Sequence, residues 1–203
     1  MPHELSRVEL INILIRRQRF KTYLEIGVRT GATFNNIQVE RKIGVDPNWS
    51  AATEKMTSDD FFASNEDTFD LVFIDGLHLW EVALRDVDNS LAKLNPGGII
   101  ILHDCMPIKY EHQRRHRVTR VWNGDVWKTL TTLRSRPNLD CAVLNCDEGL
   151  GIILPRQNTQ PIKQQTLTWQ DYCDRRDELL RVVDIPGIWK FLENAQEDKN
   201  AHT

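Results

Sequence analysis

The sequence predicts an α/β chain whose doubly wound, mostly parallel sheet closes with a C-terminal antiparallel hairpin. Three observations carry this. Short apolar runs alternate with segments of helical periodicity. The second, third and fourth runs end on acids, at Asp46, Asp75 and His103–Asp104. A glycine turn, Gly27 and Gly31 spaced G-x-x-x-G, follows the first run. Short apolar runs of this kind suit strands buried on both faces of a parallel sheet. Such sheets bind ligands at the carboxyl edge of their strands.

Residues 4–19 carry Leu5, Val8, Ile11 and Ile15 on one helical stripe that Leu14 widens, with Arg16, Arg17 and Arg19 behind it. A leading helix over 1–20 is expected to pack on the sheet. Residues 23–26 form the first strand. A helix is expected after the glycine turn, and residues 43–45 form the second strand, ending on Asp46–Pro47. Glycine lets the backbone approach a ligand, and exposed amides at a helix start suit a carboxylate. Asp46 can accept hydrogen bonds from two neighbouring ribose hydroxyls. The spacing is not the G-x-G-x-x-G that seats a pyrophosphate. A ligand with a ribose and no phosphate at the turn is therefore expected.

Residues 48–55 leave room for about two helical turns, before a short strand near 55–58 that runs into a cap at Ser58–Asp59. Residues 69–75 read as a buried strand ending on Asp75–Gly76, and 79–94 as a helix stopped by Asn95–Pro96–Gly97–Gly98. Residues 99–102 form another buried strand, ending on His103–Asp104. Residues 106–124 are irregular and rich in Arg114, Arg115, Arg117 and Arg120. That composition suits a solvated loop or a clamp for an anionic group. Trp122 reads as core, with a wall of the acceptor pocket as the alternative. Gly124–Asp125 should cap a helix through residue 133. Residues 139–144 and 150–154 form the hairpin. Helices over 169–183 and from 188 onward, with a frayed tail from 197, complete the chain. The expected organisation is one domain over 1–203, with a core at 21–155 and a helical extension at 156–203.

Composition narrows the partners. With 203 residues, 40% hydrophobic and 27% charged, the chain reads as a water-soluble globular protein. A net charge of −3 gives no pull toward nucleic acid or an anionic membrane. No apolar run approaches the roughly 20 residues of a membrane helix. The N-terminus lacks a signal-peptide layout, so a cytoplasmic location is expected, and a homo-oligomer stays open. Cys105, Cys141, Cys146 and Cys173 are scattered, which favours reduced thiols over a disulfide framework.

With Glu25 the turn reads E-x-G-x-x-x-G. Together with IGVDP at 43–47, FDLVFIDGLHLW at 69–80 and LNPGGIIILHDC at 94–105, the chain resembles the class I S-adenosylmethionine-dependent methyltransferases. WNGDVWK at 122–128 is similar to a compact small-molecule O-methyltransferase subfamily. The resemblance implies a Rossmann-like, seven-stranded methyltransferase sheet and S-adenosylmethionine as cofactor. It implies cofactor contacts from Glu25, Gly27, Thr30, Gly31, Asp46 and Asp75, with Ser58 and Asp59 at the adenine. The acceptor expected is a small polar or anionic molecule.

Methyl transfer to a hydroxyl needs a route for its proton, through a base or a metal. His78 and His103 titrate near neutrality when unperturbed, so Asp75, His78, His103 and Asp104 are the catalytic candidates. Asp75, His103 and Asp104 also form a candidate set for Mg2+ or another divalent ion. Catechol-type relatives carry an Asn after the second acid; here Cys105 stands there, and His103 precedes Asp104. Two alternatives remain: a metal-dependent hydroxylase with the same three residues on iron, and a non-catalytic cofactor-binding module.

Overall fold

The computed structural model describes residues 5–48, 51–163 and 166–200. Seven strands form one sheet in the order β2-β1-β3-β4-β6-β5-β7. These are β1 (Thr22–Ile26), β2 (Arg41–Val45), β3 (Phe69–Ile74), β4 (Leu94–Leu102), β5 (Asp140–Leu144), β6 (Leu150–Leu154) and β7 (Val182–Val183). β2, β1, β3 and β4 run parallel, and β6 is antiparallel to both β4 and β5. The register sets Ile26 beside Val45 and Ile74, and Ile74 beside Leu102. The residues that follow, Gly27, Asp46, Asp75 and His103, therefore stand in one row at the carboxyl edge.

Alternation along the strands feeds two apolar layers. Val72 and Ile74 of β3 join Ile100, Leu102, Trp127 and Leu130 on one face, beneath α3 (Trp80–Ala92), α4 (Trp127–Leu133) and α5 (Trp169–Leu180). Leu71 and Phe73 join Leu10, Leu14, Ile101 and Ile188 on the other, beneath α1 (Arg7–Gln18) and α6 (Ile185–Asn200). Helices on both faces make the sheet doubly wound, as expected. Ser6 starts α1 through a reciprocal capping box with Glu9.

Several local expectations fail for identifiable reasons. The helix expected after the glycine turn is only a 3-10 turn, Phe34–Asn36. Asn12 of α1 donates to the Asn36 carbonyl and accepts from the Gln38 amide, drawing that backbone toward α1 and out of helical pairing. The helix-start argument for a bound carboxylate therefore loses its footing here.

The strand expected near 55–58 reduces to one parallel bridge between Val45 and Glu54. Of the stretch 48–55, where the helical turns are expected, residues 49 and 50 lie outside the described residues, and 48 and 51–55 hold no helix. The cap of α2 (Ser58–Ser64) is Thr57, whose hydroxyl accepts from the Asp60 amide, so Ser58 and Asp59 are freed from capping.

Asn95–Pro96–Gly97–Gly98 belongs to β4, where the pairing with β3 shifts register. Asp125 caps α3 rather than α4, its carboxylate accepting from the Trp80 amide at 2.9 Å. α5 breaks at Arg175 and ends at Leu180, leaving Val182–Val183 to pair with β5 as the seventh strand. α6 begins at Ile185, with Pro186 in the first turn where its missing amide is not needed, and runs to Asn200. Of the tail expected to fray from 197, residues 197–200 are helical and 201–203 lie outside the described residues.

Candidate active site

The carboxyl edge opens into a cavity of about 720 Å3. Of the residues singled out in the sequence, Gly27, Asp46, Ser58 and Asp59 line it, as do Asp75, His78, His103 and Asp104. Glu25, Thr30 and Gly31 do not. Thr30 is exposed. Gly31, at φ +81°, packs against the side chains of Asn35 and Ala51.

Glu25 is buried behind the row. Tyr23 donates to its carboxylate at 2.5 Å, and the Phe34 amide adds a second bond. Burial pushes its carboxyl up to about 8, against the Tyr23 bond that lowers it. A folded-state pKa above the unfolded one contributes stability that is full at low pH. That contribution is lost as pH climbs from about 4.5 to about 8. Glu25→Gln should therefore match the wild type near pH 4 and exceed it by on the order of 3 kcal/mol at pH 8. Urea unfolding at the two pH values measures this; equal pH dependence in both proteins would contradict it.

Asp46 is oriented by backbone. Its Oδ2 accepts from the Arg29 amide and its Oδ1 from the Asn48 amide, both at 2.9 Å. The carboxylate is thereby held at the cavity wall with lone pairs to spare for two more donors.

Beyond Asp46 lies a compact ionic cluster. Asp75 Oδ1 stands 3.4 Å from His78 Nε2 and 3.3 Å from His103 Nδ1. Asp104 Oδ2 stands 3.3 Å from His78 Nδ1 and 3.0 Å from His103 Nδ1. The second nitrogen of His103 faces the Asp147 carbonyl at 2.9 Å, and His78 Nδ1 also meets the Trp122 carbonyl at 2.7 Å. Every ring nitrogen of both histidines thus faces an acceptor, which favours an N–H on each, while Arg7 also approaches His103 Nδ1 at 3.4 Å. Burial lowers each pKa, but bonds and fields from Asp75 and Asp104 outweigh it and raise both. Burial also works to raise Asp75, and the His103 charge overcomes it, holding the carboxyl far below its usual range. Both imidazoles are thus biased toward the charged form.

Arg7, which the sequence did not single out, completes the cluster. Its guanidinium grips Asp147 at 2.9 and 2.8 Å and reaches Asp75 Oδ2 at 3.0 Å. Arg7, His78 and His103 meet three carboxylates, Asp75, Asp104 and Asp147. Asp147, Glu148 and Gly149 all have positive φ in the hairpin turn, which lifts Asp147 toward Arg7. Asn123, fully buried, donates to Asp104 Oδ1 at 2.7 Å.

Above the cluster the loop 106–124 forms a wall. Of the two places open to Trp122, core or pocket wall, it takes the wall: it lines the cavity and stacks on His78, with ring centroids 4.7 Å apart and planes 17° off parallel. A cationic imidazole gains from that face. The arginines of the loop divide. Arg115 is tied to Glu81 and to buried Asp125. Arg117 donates to two backbone carbonyls. The guanidinium of Arg120 has no ion pair or hydrogen bond among the described residues. Arg117 and Arg120 line the cavity, whereas Arg114 and Arg115 do not.

For a divalent ion, Asp75, His78 and Asp104 each offer one ligand atom, all within 4.8 Å of one another. His78 takes the position the sequence assigned to His103, whose Nε2 is spent on Asp147. The donor set fits a divalent ion once His78 releases a proton, since a ligating imidazole must be neutral.

At the other end of the cavity, Asp59 is held by the fork of Arg85 at 2.7 and 2.8 Å. Ser58 hydrogen-bonds Asp86, a buried acid of α3 that was not foreseen. An acid on a helix of ordinary amphipathic pattern carries no sequence signal for such a place.

Residues 31–105 match the family model of a methyltransferase domain; that span holds Asp46, Asp75, His78, His103 and Asp104. No curated protein matches the sequence. Among solved structures the chain is similar to the O-methyltransferase from Bacillus cereus in complex with SAH. There identity is 14%, with 77% of this chain and 84% of that chain covered and a TM-score of 0.54. It is also similar to the O-methyltransferase TomG from Streptomyces achromogenes, involved in tomaymycin synthesis, in complex with SAM (14%, 77% and 83%, TM-score 0.56). A third likeness is to a methyltransferase of Podospora anserina with SAH bound (18%, 75% and 78%, TM-score 0.53). At these identities the likenesses establish the fold, the Rossmann-like methyltransferase arrangement.

Proposed function

We propose, from the premise that the chain carries a methyltransferase domain on the Rossmann-like methyltransferase fold, that it moves a methyl group from S-adenosylmethionine to an oxygen of a small acceptor. The observation that carries this reading is the row Gly27, Asp46, Asp75, His103–Asp104 along one cavity, with Asp46 poised to accept two hydroxyl donors. The residues fit the cofactor: Gly27 presents bare backbone, Asp46 suits a ribose diol, and buried Asp86 waits for a donor. Bound S-adenosylmethionine would supply an electrophilic methyl group on a sulfonium.

The chain's own residues then set the acceptor in place. His78 and His103, whose ring nitrogens are engaged within the cluster, act on an oxygen losing its proton through their positive charge, a preorganised electrostatic stabilisation rather than a direct hydrogen bond. Asp104 is the nearby carboxylate to receive the proton, with Asn123 steadying its other oxygen. Trp122 and the loop that bears it exclude water, and Arg117 and Arg120 favour an acceptor carrying an anionic group. A divalent ion, where present, would be held by Asp75, His78 and Asp104, and would lower the pKa of the acceptor hydroxyl.

Calorimetry tests the reading. Both S-adenosylmethionine and S-adenosylhomocysteine should bind, and Asp46→Ala should weaken both by about 10- to 100-fold, the loss of charge-assisted bonds to a diol. Absence of heat with either ligand would remove the reading.

A further inference from the structure

We infer that Asp86, supported by Ser58, selects the nucleobase of the cofactor by accepting a hydrogen bond from an exocyclic amino group. This rests on the adenosyl cofactor of the preceding section. Asp86 is 1% exposed, and with Ser58 it lines the cavity. Its Oδ1 has no hydrogen-bond partner among the described residues. A buried carboxylate oxygen without a donor is costly, and a ligand donor entering the cavity would complete it.

The surroundings specify the donor. Asp59, the acid that the family resemblance places at the adenine, is already engaged by Arg85. Asp86 is left as the acid with an unused oxygen. Val82, one turn earlier on the same face of α3, lines the cavity, as do Ile26 and Val45. Gly76 also lines the cavity beside this acid, where a Cβ would be in ordinary contact with Asp86 Oδ2 at 3.6 Å and Ile26 Cγ2 at 3.4 Å. Apolar walls ending in one acid suit a flat heterocycle that presents an N–H donor at its edge. An aminopurine does so. An oxopurine places a carbonyl oxygen there and meets the carboxylate acceptor to acceptor. Burial pushes Asp86 up to about 6, with the Ser58 bond opposing and Asp59 adding to it. At neutral pH the group is therefore an acceptor.

The test titrates S-adenosylhomocysteine and its deaminated analogue, S-inosylhomocysteine, into the wild type and Asp86→Asn. The wild type should prefer the adenosyl compound by about 10- to 100-fold, the worth of a hydrogen bond to a charged group. Asp86→Asn can donate to a carbonyl, so its preference should shrink to within about 3-fold or reverse. Thermal melting of the variant should lie at or above that of the wild type, since an unsatisfied buried charge is gone.

Equal affinity of the wild type for the two compounds would overturn the inference, whether or not the variant folds. An unchanged preference in Asp86→Asn would overturn it too. In either case binding of S-adenosylhomocysteine would leave the cofactor reading standing. Failure of both compounds to bind the wild type would instead overturn the cofactor reading, and the inference with it.

Discussion

Asp75→Asn is expected to lower methyl transfer by about 10^3-fold, while S-adenosylhomocysteine affinity changes by less than about 10-fold. Asn keeps the size of the side chain and one oxygen, and Asp46 and Asp86 lie elsewhere in the cavity. What changes is charge. Arg7, His78 and His103 would face only Asp104 and Asp147, so both histidines would drift toward neutrality and the cationic pair at the acceptor oxygen would weaken. Breaking a largely buried pair also costs stability, on the order of 3 kcal/mol. Asp147→Asn separates the two effects. Asp147 touches the same Arg7 and His103 but does not line the cavity. It should cost similar stability and much less activity. Single-turnover rates beside melting temperatures decide, and an Asp75→Asn rate within 10-fold of wild type would take Asp75 out of the reaction centre.

The part of this site that the sequence showed is the part made by strands. Asp46, Asp75 and Asp104 were legible because each ends a short apolar run, and parallel neighbours in register must deliver their ends to one edge. The hairpin of β5 and β6 was legible for a similar reason: two apolar runs joined by a short polar link with a glycine. Where the chain leaves regular structure, local pattern stops informing. The stretch after Gly31 looked helical until Asn12, contributed by α1, took its backbone hydrogen bonds. Sequence left Trp122 between core and pocket wall; it stacks on His78 at the wall because Asn123 and Gly124 both donate to the His112 carbonyl and fix the loop there.

The charge cluster was half visible. His78 and His103 stood out by residue type, but their roles depend on Arg7 and Asp147, which are 140 residues apart in sequence. No spacing rule joins an arginine on a leading helix to an acid in a distant turn. Their meeting also inverts the chemistry first assigned to the histidines. A ring with acceptors on both nitrogens is an acid and a donor, whereas a lone histidine at a strand edge reads as a base. The same limit hid Asp86, whose position opposite Ser58 follows from how α3 packs against α2.

Gly27→Ala is expected to destabilise the protein by about 4–5 kcal/mol, at the extreme of single substitutions, and to abolish cofactor binding. At φ +88° an alanine is strained by about 1–2 kcal/mol before any contact is counted. Its Cβ would then stand 2.1 Å from the Asp75 carbonyl oxygen and 2.7 Å from the Gly76 Cα. Both are backbone atoms, so no rotamer change relieves the clash. β1 and β3 must separate at their carboxyl ends, where the Asp75 amide now donates to the Ile26 carbonyl at 2.8 Å. The melting temperature should fall by roughly 10–15 °C for a chain of this size. Gly31→Ala is the control. It shares the positive φ, but its Cβ would meet the Asn35 amide, which can rotate away, and the Ala51 Cβ at 2.9 Å, which must move with its own loop backbone. A loss of about 2 kcal/mol with cofactor binding retained is expected there. If the two variants lose equal stability, the close approach of Gly27 to the Asp75 backbone is not what holds the strand ends together. The alignment of Asp46 with Asp75 would then need another cause.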